Sequence, residues 1–205
     1  TTHYAGQEKI RVLGELGVPR NFPFLPRIYL AAGVRRAGAR VALAPASRKE
    51  TRRWPAASYA ELGRMIRQRT GNEILVFWGP GERKLAEEVV NGIGNGAKIT
   101  EETRSLADAA RLIAGCRLMI TNCSGSKHLA VALGVPTVTI HGSSDPESWN
   151  PPDPNHLVVR LSKEELPCIG CGLNRCPILL QCMRDLPPER VLKAAMSLLA
   201  VESRL

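Results

Sequence analysis

Two stretches of this 205-residue sequence carry side chains suited to holding an anion. The first is Ala44-Pro45-Ala46-Ser47-Arg48-Lys49-Glu50-Thr51-Arg52-Arg53-Trp54-Pro55, which follows the apolar run Val41 to Ala44. Basic residues packed together beyond the carboxyl end of a strand would neutralise a pyrophosphate. The plain alternative is a solvated basic loop anchored by Trp54. The second is Thr121-Asn122-Cys123-Ser124-Gly125-Ser126-Lys127-His128-Leu129-Ala130, again a strand end running into a helix start. There Ser124 and Gly125 can offer N–H groups and a hydroxyl to an anion, and His128 sits one turn inside the helix, within reach of the same group. Its alternative is an ordinary hydrogen-bonded histidine. Glu82 follows the turn Trp78-Gly79-Pro80-Gly81. A carboxylate there suits a ribose diol, or else complements a helix dipole.

Cysteine suggests a separate chemistry. Cys168, Cys171, Cys176 and Cys182 are spaced C-x2-C-x4-C-x5-C, while Cys116 and Cys123 stand apart. Four thiols in a reducing compartment favour a structural zinc over disulfides, with free thiols or an adventitious disulfide as the alternatives. The sequence holds no Gly-x-Gly-x-x-Gly in the first loop, no Gly-Lys-Ser and no Asp-x-Asp. The usual signatures of nicotinamide dehydrogenases, P-loop enzymes and metal-held diphosphates are therefore missing.

The elements that must position these residues alternate. Strand-length apolar runs at Val41 to Ala44, Ile74 to Trp78, Leu118 to Thr121 and Thr137 to Ile140 are separated by helical patterns at Tyr59 to Arg67, Arg83 to Val90, Leu106 to Ile113 and Lys127 to Leu133. That order predicts an α/β domain with a doubly wound parallel sheet. Pro55 opens the first of these helices, Gly71-Asn72 closes it, Ser105 with Asp108 caps another, and Gly134 stops the helix that begins near Ser124. Ser143 to Asn155, with four prolines, is expected to be an ordered loop. Pro187-Pro188 opens a last helix over Glu189 to Leu199. Residues 1–40 read as an interdomain connector containing a helix at Lys9 to Leu16, and 41–205 as the domain itself. A fold that starts after a proline-rich connector suggests a preceding domain.

Composition narrows the partners. The formal net charge of +9 suits an anionic partner: nucleotide phosphates, nucleic acid or an acidic membrane surface. Aromatic residues make up 4% and are not interleaved with the basic ones, so a single-strand stacking platform is disfavoured. No apolar stretch approaches the roughly 20 residues of a membrane span, and the start of the chain lacks the pattern of a secretory signal. A cytoplasmic protein is expected, with contact at the inner membrane surface at most peripheral.

The run Leu118 to Val138 followed by His141-Gly142-Ser143-Ser144-Asp145-Pro146, with Ser105-Leu106 to Ala114-Gly115 and Arg52-Arg53-Trp54-Pro55, resembles the heptosyltransferases of glycosyltransferase family 9. The resemblance covers residues 41 to 200. It implies the C-terminal, nucleotide-sugar-binding half of a GT-B transferase with Rossmann-like domains. The donor would be ADP-heptose or a related nucleotide sugar, the acceptor a lipopolysaccharide core held by an N-terminal domain that also supplies the base, and no cofactor would be required. Carried over by position, Ser47 and Arg52 would contact the phosphates, Glu82 the ribose, Arg104 the adenine region, and Ser124, Gly125 and His128 the diphosphate. Cys123 stands where the family usually has Asp facing the sugar, and Lys127 where it often has Met. A binding module without transferase activity is the second reading, and a basic nucleic-acid-binding domain the third.

Overall fold

The computed structural model describes residues 3–17, 25–30 and 40–202. At its centre are six parallel strands in the order β3-β2-β1-β4-β5-β6. They are β1 (Arg40–Ala44), β2 (Glu73–Val76), β3 (Ala97–Ile99), β4 (Leu118–Asn122), β5 (Thr137–Ile140) and β6 (His156–Val159). The helices are α1 (Ala5–Gly14), α2 (Ala56–Thr70), α3 (Arg83–Ile93), α4 (Leu106–Ala114), α5 (Gly125–Ala132), α6 (Pro146–Trp149), α7 (Gln181–Arg184) and α8 (Pro188–Glu202). The doubly wound parallel sheet is therefore as the sequence predicts.

Side chains alternate across the sheet, and each face has its own core. Val41, Leu43, Ile74, Val76, Leu118, Ile120, Val138 and Ile140 face α2, α3 and α8, whose Leu62, Ile66, Val89, Val191 and Leu192 complete one cluster. Ala42, Ala44, Leu75 and Met119 face the other way, onto Ile113 of α4 and Ala130 of α5. Small residues on this second face let α5 approach closely.

The stops work as expected. Gly71 ends α2 at φ +70, a left-handed conformation that glycine adopts without the Cβ penalty. Ser105 caps α4, accepting from the Asp108 N–H at 3.1 Å. Other boundaries shift. Strand β2 ends at Val76, leaving Phe77 and Trp78 beyond it, and the N-terminal helix runs Ala5–Gly14 rather than from Lys9 to Leu16. Two strands had no counterpart in the apolar pattern: β3 is three residues long and not fully buried, and β6 is an edge strand opened by His156. The loop expected over 143–155 contains α6, one turn with Pro146 at its start and Asp145 as cap. Of the connector, residues 25–30 have no regular structure, with the Ile28 N–H donating to the Ala132 carbonyl at 2.7 Å. Most of the proline-rich and Arg-rich stretch lies outside the described residues.

Candidate functional site

The order of strands reverses between β1 and β4: from β1 the chain winds outward to β2 and β3, and from β4 to β5 and β6. Beyond the carboxyl ends of such a pair a crevice opens. Both candidate stretches emerge there, the first after Ala44 and the second after Asn122, with Ala44 level with Thr121 in the ladder.

Asn122 ties the two loops together. Its side chain is fully buried; Nδ2 donates to the Pro45 carbonyl at 2.7 Å and Oδ1 accepts from the Trp54 N–H at 3.1 Å. Trp54 is the anchor the sequence offered as the plain reading of its loop. Its Nε1 donates to the Leu186 carbonyl at 3.1 Å, and its ring meets Tyr59 edge-on at 4.9 Å. Between these pins the basic residues are sorted. Arg48, Lys49 and Arg53 are exposed, and Arg53 Nε donates to the Ser47 carbonyl. Arg52 is half-buried, and its Nε is shielded from solvent with no hydrogen-bond partner among the described residues. Ser47 is buried, with Oγ accepting from the Lys49 N–H at 3.4 Å.

On the β4 side, Ser124 precedes α5 but its hydroxyl does not cap the helix. Ser124 Oγ instead meets Ser126 Oγ at 2.8 Å, and Thr121 Oγ1 lies 3.2 Å from Ser126 Oγ. The Ser124 side chain thus leaves the N-terminus of α5 uncapped, at the positive end of the helix dipole. Space is open in front of Gly125, where a Cβ would meet nothing within 4 Å. An anion placed there would receive the backbone N–H groups and the hydroxyls together.

Burial shifts the titratable groups on and beside α5. Lys127 is fully buried, and its Nζ donates to the Trp149 carbonyl. Among the described residues it has no carboxylate partner; burial pushes its ammonium down to about 8, with Cys123 opposing that shift and Arg52 adding to it. Burial, and then the Lys127 and Lys9 charges, push the His128 imidazole down to about 4, so it is neutral at pH 7. His141, at the end of β5, is completely buried and is held down to about 3, first by burial and then by Lys127. Its Nδ1 lies 3.0 Å from Ser144 Oγ, while Nε2 is buried with no partner among the described residues.

The remaining candidates are spread along the same side of the sheet. Glu82 follows β2, where one carboxylate oxygen accepts from the Gly79 N–H at 2.9 Å and steadies its own turn. Arg104 is exposed on the bend before α4, after β3. Cys123 is 3% exposed, so its thiol faces protein rather than solvent. Asn122 and Lys127 lay within the second candidate stretch and His141 in the run that carries the resemblance, but none of them, nor Trp149, was given a role from the sequence.

The four clustered cysteines all lie between β6 and α8. Among the described residues no three His, Cys, Asp or Glu side chains are grouped to hold a metal ion. Cys168 and Cys171 are exposed, whereas Cys182 is buried. The Cys182 Sγ packs so closely on Gly142 that a Cβ there would meet it at 3.0 Å; burial, and then the nearby Cys176, Cys171 and Cys168 thiols, push its own thiol up to about 11. The loop also has a structural task. Gly170 and Gly172 N–H donate to the carbonyls of Gly142 and Ser143 at 2.9 and 2.6 Å, and Thr51 Oγ1 donates to the Leu173 carbonyl at 2.9 Å. It thereby braces both loops of the crevice from behind.

Comparison with known proteins agrees with this geometry. The profile of glycosyltransferase family 9 (heptosyltransferase) matches residues 31–174. Lipooligosaccharide heptosyltransferase 2 of Campylobacter jejuni is 31% identical over 160 residues, 75% of this chain and 49% of its own length. Among solved structures, the E. coli ADP-heptose heptosyltransferase II superposes with TM-score 0.73 at 24% identity, over 89% of this chain and 56% of that one. An E. coli heptosyltransferase solved with ADP superposes with TM-score 0.62 at 23% identity, over 80% of this chain and 45% of that one. At these identities the superpositions establish the fold. The chain spans about half the length of the curated relatives it matches. Among the described residues no helix is long and apolar enough to cross a membrane.

Proposed function

We propose a function for this chain, which belongs to glycosyltransferase family 9, the heptosyltransferases: it is the part of such an enzyme that holds the nucleotide sugar, ADP-heptose, for transfer to a lipopolysaccharide core. The observation that carries the reading is the uncapped N-terminus of α5 at the strand-order reversal, beside the hydroxyls of Thr121, Ser124 and Ser126 and the Arg52 Nε that has no hydrogen-bond partner among the described residues. A diphosphate fits that combination; the nicotinamide fingerprint and the metal-binding Asp-x-Asp have no place in it.

The chemistry follows from where charge develops. As an acceptor hydroxyl attacks the anomeric carbon, the bond from that carbon to the diphosphate breaks, and its electron pair stays on the phosphate oxygen. Fixed N–H dipoles and the Arg52 guanidinium stabilise that growing charge without reorganising. Neutral His128 can serve as a hydrogen-bond partner there without adding a charge of its own. In this reading the acceptor and the base that takes its proton come from the part of the relatives' length that this chain does not match. Glu82, with one carboxylate oxygen engaged by its own turn, has the other free for a ribose hydroxyl. Calorimetric titration tests the reading: ADP and ADP-heptose should bind more tightly than NAD, and tighter NAD binding refutes it.

A further inference from the structure

Trp149 ends α6 and is 40% exposed, which leaves a large part of an indole in water. The backbone that carries it is fixed from both sides. Its carbonyl accepts from the fully buried Lys127 Nζ. Before it, Asp145 accepts from the Glu147 N–H at 3.1 Å and from Ser148 Oγ at 2.9 Å. After it, Asn150 is 8% exposed and donates through Nδ2 to the His156 carbonyl at 2.6 Å. A segment tied in this way holds the backbone of Trp149 in place while part of its indole stays open to solvent. One side of the ring is already set, since His128 meets it edge-on with centroids 6.1 Å apart and planes at 69°.

The place of Trp149 along the sheet says what would meet that open part. On the reading above, nucleoside contacts come from Glu82 and Arg104, after β2 and β3, and diphosphate contacts from Arg52 and Ser124, after β1 and β4. Continuing in the same direction, the next loop follows β5 and leads into α6. From β2 to β5 is three strand spacings, about 14 Å. The group beyond the diphosphate therefore lies toward the β5 end of the crevice, where Trp149 meets His128, itself a diphosphate candidate, and in a nucleotide sugar that group is the sugar. A sugar ring presents an apolar C–H face that suits the electron-rich face of an indole, while its hydroxyls stay in the polar surround.

We propose that Trp149 is the platform for the sugar ring of the bound nucleotide sugar, and that buried Lys127 is the positioning residue that holds it in place. The proposal rests on the nucleotide-sugar reading of the site and adds to it the residues that meet the sugar end. It also accounts for a buried ammonium with no carboxylate partner among the described residues, because the Trp149 carbonyl is what that ammonium is there to hold.

The test is calorimetric titration of the chain with ADP and with ADP-heptose, for wild type, Trp149→Ala, Trp149→Phe and Lys127→Met. Trp149→Ala should weaken ADP-heptose binding about tenfold while ADP affinity moves less than about twofold. Trp149→Phe should recover most of the loss, since a ring is restored. Lys127→Met should give the same sugar-selective loss, whereas a general loss of structure would lower both affinities together. If Trp149→Ala leaves both affinities unchanged, or lowers them equally, while wild type binds ADP, the platform is refuted and the nucleotide reading stands. If wild type binds neither ligand, the nucleotide-sugar reading fails and the platform fails with it.

Discussion

Replacing Asn122 by alanine removes both pins between the two loops of the crevice. The Trp54 N–H and the Pro45 carbonyl, both in buried residues, would lose the partners now held at 3.1 and 2.7 Å. A buried polar group left unsatisfied costs about 1–3 kcal/mol, so two such groups cost about 2–6 kcal/mol. Because Asn122 is completely buried, water cannot replace the amide without local opening. For a chain of this size each kcal/mol lowers the melting temperature by about 2–4 °C. A central loss of about 4 kcal/mol thus becomes roughly 8–16 °C. Thermal unfolding followed by circular dichroism reads this directly. Asn122→Asp is the sharper companion: it keeps the acceptor for Trp54 but sets a carboxylate against the Pro45 carbonyl, and should be no better tolerated. A loss under about 1 kcal/mol for Asn122→Ala would refute the claim that this side chain unites the site.

Two further expectations concern the loop after β5. The His141 imidazole is held at about 3 in the folded chain, against an ordinary value near 6.5. Below pH 6.5 the unfolded chain therefore takes up a proton that the folded chain refuses, and stability falls with falling pH. From pH 7 to pH 5 this should cost about 2 kcal/mol, so urea unfolding of His141→Gln should show a correspondingly shallower pH dependence; equal slopes would refute the assignment. Gly142→Ala would place a Cβ 2.4 Å from Met183 Sδ and 3.0 Å from Cys182 Sγ. Met183 is fully buried, so the brace behind the crevice must shift, at about 1–3 kcal/mol by urea unfolding, and an unchanged midpoint would mean the contact yields freely.

How much of this was legible in the sequence depended on whether the signal was local. Strands β1, β2, β4 and β5 are buried on both faces, so their apolar runs stood out, and Gly71 and Ser105 marked helix ends through conformations and hydrogen bonds that span only a few residues. Strands β3 and β6 lie at the sheet edges and carry Lys98 and His156, so they lacked such runs. The anion-holding stretches could be found because a strand end, a turn and a helix start are adjacent in the chain. Asn122, which bonds across 68 and 77 residues to Trp54 and Pro45, could be assigned its part only from the fold. The cysteine spacing was silent on burial for the same reason: separation along the chain does not reveal that Cys182 is packed against Gly142 while Cys168 and Cys171 face solvent. Trp149 likewise gained its meaning from Lys127 beneath it and His128 beside it.

The most direct measurement of the central claim is a crystal structure of the chain with ADP-heptose. The account expects the diphosphate at the N-terminus of α5, within hydrogen-bond distance of the Ser124 hydroxyl and the first-turn N–H groups, with Arg52 turned toward it. Density for the nucleotide elsewhere, for example in the groove between β6 and α8 lined by Arg160, Arg190 and Lys193, with the α5 N-terminus left to solvent, would contradict it.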